Sequence, residues 1–120
     1  MNKQTRVWIT FQREGFHQYP AALTDPQLAD VKFLGYEHRH IFHFRIEIEV
    51  FHDDRDVEFI LFKREIEGLF TQDILHINNK SCEMLSDDIA AYIYNNYPDR
   101  DFNISISEDN ENGSITEYKK

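Results

Sequence analysis

His38-Arg39-His40 carries the most specific chemical signal in this chain, because it opens an alternating stretch that runs on to Val50. Side chains of a β-strand alternate faces, so two histidines one residue apart project to the same side, about 6–7 Å apart along the strand. A metal ion could bridge that gap. Phe42, Phe44, Ile46, Ile48 and Val50 share the parity of the pair, whereas His43, Arg45, Glu47 and Glu49 take the other face. The pair therefore extends an apolar stripe, the shielded setting in which neutral imidazoles bind Zn2+. His17 is the obvious upstream donor of a third ligand, and three histidines would leave one coordination position open, as a catalytic zinc requires. The competing reading is that histidines at a strand end bond only to backbone and water.

Glu108 follows Phe102, Ile104 and Ile106 at even spacing, so it stands where the apolar stripe of its own strand ends. A carboxylate there could accept two hydrogen bonds from a planar nitrogen heterocycle. Cys82 falls in the first turn of a predicted helix, where the helix dipole would favour a thiolate and hence a nucleophile or acid/base group. His76, with Asp73 three residues earlier, offers a further acid/base couple in a loop. Arg13, Lys32, Arg39 and Arg45 are the cations a phosphate-bearing ligand would need. His43 and His52 read as surface or packing residues.

These residues need elements to hold them. Arg6 to Gln12 alternates as a short strand, and His38 to Phe51 is the main strand. Between them, Arg13 to Tyr36 has no periodicity, and Tyr19-Pro20 and Asp25-Pro26 mark turns, so this segment reads as a long loop. Phe59 to Phe70 turns helical, with Phe59, Phe62, Ile66 and Leu69 on one stripe. Ser81 is a good N-cap for a second helix to about Tyr97, with Leu85, Ile89, Tyr92 and Ile93 inward. Phe102 to Glu108 and Ser114 to Tyr118 read as two strands joined by the turn-rich Asp109–Gly113. The order β-β-α-α-β-β predicts an α+β domain spanning residues 1–120, with a four-stranded antiparallel sheet and both helices on one face.

Composition narrows the partners. The 120 residues include 22 acidic and 13 basic side chains, a formal net charge of −9, which argues against nucleic acid or an anionic membrane as the main partner. A local basic pocket for a small anion stays open as an expectation. Hydrophobic residues make up 41%, with ten Phe and six Tyr, enough for a core without staples. Cys82 is the only cysteine, so no intrachain disulfide can form and the chain reads as cytoplasmic. The start is polar and no apolar run approaches transmembrane length, so neither a signal peptide nor a membrane span is expected.

In order, these pieces resemble the 6-pyruvoyltetrahydropterin synthase and 6-carboxytetrahydropterin synthase family of the tunnelling (T-fold) class. The likeness covers about Arg6 to Tyr118. Phe16-His17-Gln18-Tyr19-Pro20 and His38-Arg39-His40 look like that family's early histidine and its His-Gly-His strand start. Asp56-Val57-Glu58-Phe59-Ile60-Leu61-Phe62-Lys63 is similar to its entry into the first helix, with Glu58 for an aspartate. Ser81-Cys82-Glu83-Met84 resembles its second helix start, and Ile106-Ser107-Glu108-Asp109 with Tyr118 resembles its last strands.

The resemblance implies that His17, His38 and His40 hold zinc, that Glu108 anchors a pterin ring, and that Glu83 is a further substrate-binding candidate. It implies dihydroneopterin triphosphate or a close relative as substrate, and a homo-oligomer, a hexamer in that family, with active sites between subunits. Several features depart from the pattern, among them Arg39 in place of glycine and a longer step from the first strand to the histidine. The family's catalytic cysteine falls at Leu34, which cannot transfer a proton, and the Asp-His dipeptide of its relay is missing, leaving Asp73, His76 and Cys82 as displaced candidates. Three readings follow: a zinc-dependent lyase or synthase acting on a pterin triphosphate, a catalytically inactive T-fold module that binds a purine-like or pterin-like nucleotide, and an acidic oligomeric scaffold.

Overall fold

The two longest alternating segments build the centre of the molecule, which a computed structural model describes over residues 1–120. β1 (Thr5–His17) and β2 (His38–Val50) pair antiparallel along their full length, from Thr5 opposite Val50 to His17 opposite His38. Ile9 faces Ile46 and Phe11 faces Phe44, so the apolar sets of both strands fall on one side. β1 is longer than the alternation predicted. Arg13 to His17 have no apolar period of their own, and pairing with β2 supplies the order that local sequence does not.

The predicted loop is therefore shorter, and it is not irregular. Short 3-10 segments fill it, Pro20–Leu23 and then Pro26–Gly35 with a kink at Val31, and each span has proline at its start, where a missing N–H costs nothing. The Asp25 side chain accepts the Gln27 N–H at 2.9 Å and caps the second turn.

α1 (Phe59–Glu67) is capped by Glu58, whose carboxylate accepts from the N–H groups of Ile60 and Leu61. It ends earlier than Phe70, at Gly68. β3 (Ile74–Asn78) follows, a strand the sequence reading missed. Five residues with only Leu75 and Ile77 inward are too few to show a period. α2 (Cys82–Asn96) starts as expected, with the Ser81 hydroxyl accepting from Met84 N–H at 3.2 Å. β4 (Phe102–Glu108) and β5 (Asn112–Tyr118) close the chain.

The sheet thus has five strands rather than four, in the order β3-β1-β2-β4-β5, and the element order is β-β-α-β-α-β-β. Every pair is antiparallel except β3 on β1, which is parallel. The α+β class stands. One cluster of 18 buried residues joins Phe62 and Ile66 of α1 and Leu85, Ile89 and Ile93 of α2 to the inward residues of the sheet, so both helices cover the same face. Tyr92 and Tyr97 both donate to the Glu65 carboxylate, which ties α2 to α1. No helix is long and apolar enough to cross a membrane.

Candidate metal centre

Strand register decides which histidines meet. His17 is the direct partner of His38, and His40 lies two residues further along β2, opposite Gly15. All three side chains leave the sheet on its helix-covered face, because they share the parity of Phe42 and Phe44. The ring centroids lie 4.4 Å (His17 to His38), 4.8 Å (His38 to His40) and 5.0 Å (His17 to His40) apart. Gly15 makes room beneath them. A Cβ there would meet the Phe42 ring at 2.9 Å, and that ring packs edge-on against His17 at 5.4 Å.

Ligating atoms of the three histidines all fall within 4.8 Å of one another. Their Nε2 atoms are buried and none makes a hydrogen bond. Glu108 brings one oxygen to 3.2 Å from His17 Nε2 and the other to 3.3 Å from His40 Nε2, distances short enough for a bond but out of line for one. Buried nitrogens left without partners are costly, so a cluster of three needs a reason. A cation at their meeting point supplies one.

The opposite ring nitrogens are fixed. His38 Nδ1–H donates to the Tyr36 carbonyl at 2.8 Å, and His40 Nδ1–H donates to the Asp109 carboxylate at 2.6 Å. Each bond commits its ring to the tautomer with a free Nε2 lone pair, as metal-ligating histidines require. Burial, the largest influence, lowers the His17 pKa below its ordinary value, and repulsion from His38 and His40 acts the same way against the opposing pull of Glu108. A neutral imidazole at pH 7 is the form that binds a metal. The donor set of three nitrogens with a carboxylate beside them suits Zn2+.

Asp109 went unrecognised as part of the site. It occupies the β4–β5 turn with φ of 58°, followed by Asn110 at 60°, and these two residue types tolerate the left-handed region that a tight hairpin demands. Its other oxygen accepts the Ile41 N–H at 2.8 Å. That backbone bond first, and His40 second, hold the Asp109 carboxyl below the usual range, so it stays an anion. The Asp-Asn pair was legible as a turn, but its reach to His40 depends on Glu108 pairing with Phe42.

A cavity of about 610 Å³ opens beside the cluster, lined by His17, His38, Leu34, Glu108 and the first residues of α2, including Cys82 and Glu83. Its size is that of a small-molecule site. Cys82 is half-buried, and burial above all, with Glu108 and Glu83 adding to it, pushes its thiol up to about 11. This corrects the thiolate expected at the helix start: loss of water and two nearby carboxylates outweigh the helix dipole. His76 lies in β3, not in a loop, and it is exposed on the opposite face of the sheet, stacked on Phe16. Asp73 is exposed just before that strand. Neither borders the cavity.

No protein-family model matches this chain, and no curated protein matches its sequence.

Proposed function

We propose that this chain is a zinc-binding, T-fold-like protein whose cavity beside the metal takes a planar pterin-like or purine-like small molecule. The convergence of three buried, unbonded Nε2 atoms, two of them on histidines that line a ligand-sized cavity, carries this reading. His17, His38 and His40 would hold the ion, with Asp109 and the Tyr36 carbonyl orienting two of the rings. When bound, zinc supplies a Lewis acid that polarises a hydroxyl or carbonyl oxygen at its open position. Glu108 borders the same cavity as an acceptor-only group, suited to paired N–H donors on a ring edge. The resemblance to the tetrahydropterin synthases adds the ring system to this chemistry.

Binding without turnover is the form the site supports best. Leu34 lines the wall where that family's cysteine would stand, His76 lies on the opposite face of the sheet, and Asp73 is outside the lining. The lyase or synthase reading rests on one observation, that Cys82 lines the cavity as a protonated thiol able to donate a proton. Elemental analysis of protein purified without chelator tests the shared premise. About one zinc per chain, lost in His38→Ala, is expected; metal-free protein would overturn the proposal. Incubating the zinc-loaded protein with dihydroneopterin or its triphosphate then separates the readings, since a product that disappears in Cys82→Ala would establish catalysis.

A further inference from the structure

Resting on the metal-and-heterocycle reading above, we infer that the cavity selects an unphosphorylated ligand, neutral or bearing N–H donors, and rejects a triphosphate. Glu83, Asp87 and Glu108 line it against one ammonium, that of Lys80. Lys80 is already paired with Asp88 outside the lining. The other cations that a phosphate could use are either engaged elsewhere or lie off the lining. Arg39 leaves β2 on the face opposite His38 and His40 and binds Glu14. Arg13 pairs with Glu67 at 2.9 Å, and Arg45 pairs with Glu47 while lying over the Trp8 ring at 4.1 Å. Lys32 is exposed and does not reach the lining.

Charge arithmetic points the same way. With Lys80 already paired to Asp88, three carboxylates outweigh a bound divalent ion and leave the lining without positive excess, which matches a neutral heterocycle and its hydroxylated side chain. A triphosphate adds several negative charges with no guanidinium to receive them, in a protein whose net charge is already −9. Phosphate recognition rests on bidentate arginines or a set of backbone N–H groups aimed at the anion. Here Ser81 already accepts the Met84 N–H at the start of α2, and Glu83 stands in its first turn. The polar neutral groups that remain, Gln18, Tyr19, Asn79 and Asn112, fit hydroxyl and amide donors.

Titration calorimetry on the zinc-loaded protein tests this with two probes, 7,8-dihydroneopterin and its triphosphate. The unphosphorylated pterin is expected to bind at least tenfold more tightly near physiological salt. Because the discrimination is electrostatic, the gap should narrow severalfold in 1 M NaCl and in Glu83→Gln, an exposed position. Equal or tighter binding of the triphosphate overturns the inference and leaves the pterin reading intact. A gap indifferent to salt also overturns it, since shape rather than charge would then discriminate. Binding of neither pterin to zinc-loaded protein removes the pterin reading itself, and this inference with it.

Discussion

The Asp109 carboxylate holds two parts of the site at once: one oxygen takes the His40 Nδ1–H at 2.6 Å and the other takes the Ile41 backbone N–H at 2.8 Å. The turn after β4 is thereby locked to the strand that carries His38 and His40. Outer carboxylates of this kind fix the tautomer and raise the basicity of a ligating imidazole. Asp109→Asn keeps the turn conformation but replaces the anion by a weaker acceptor. Zinc affinity, read by competition with a chromophoric chelator, should fall by about 10–100-fold while the circular dichroism spectrum is unchanged. Unaltered affinity would show that Asp109 serves only the turn.

Gly15→Ala probes the floor of the cluster. The added methyl would sit 2.9 Å from the Phe42 ring and 3.3 Å from Leu75 Cβ, and Phe42 is fully buried beneath His17 and His40. Overpacking of this kind costs about 1–3 kcal/mol. Urea denaturation should show that loss, and zinc retention should weaken with it as Phe42 is pushed toward the imidazoles. A variant as stable as the wild type would mean that the strand yields at this point.

Cys82 should be a sluggish thiol. With its pKa pushed up to about 11, its thiolate fraction at pH 8 is smaller than that of an unperturbed cysteine by about a hundredfold or more. Alkylation by iodoacetamide at pH 8 should be slower than that of free cysteine by a similar factor. Labelling at the free-thiol rate would rule out the buried, acid-flanked setting that raises this group.

Far from the histidine cluster, Glu49 sets a pH dependence of stability. It is 8% exposed and accepts from the Asp101 N–H at 2.9 Å, from Gln4 at 3.0 Å and from Lys120 at 3.1 Å, which together join the two chain termini to β2. The Asp101 backbone bond foremost lowers its pKa against the penalty of burial. A depressed folded-state pKa gives stability that is fully present above the unfolded value, about 4.3, and is lost as pH falls through the folded value. The difference in Tm between wild type and Glu49→Gln should therefore be constant from about pH 6 to 8 and shrink below about pH 4. A difference that does not change with pH would assign the effect to packing alone.

The α+β class, the main strand and the helix starts were legible because each rests on local chemistry: alternation from His38 to Val50, the Ser81 cap, the Asp-Asn turn. The sequence by itself determined that His38 and His40 share a face with an apolar stripe, since strand parity needs no partner. Only the tertiary structure decided that His17 joins them. Its strand continues through Arg13 to His17 without any apolar period, and the register with β2 alone sets His17 against His38. The same register brings Glu108 and Asp109 beside the imidazoles, while β3 carries His76 to the far face. Periodicity reports which side of an element a residue takes, but convergence depends on which elements pair and in what register, a choice made by packing across the whole sheet.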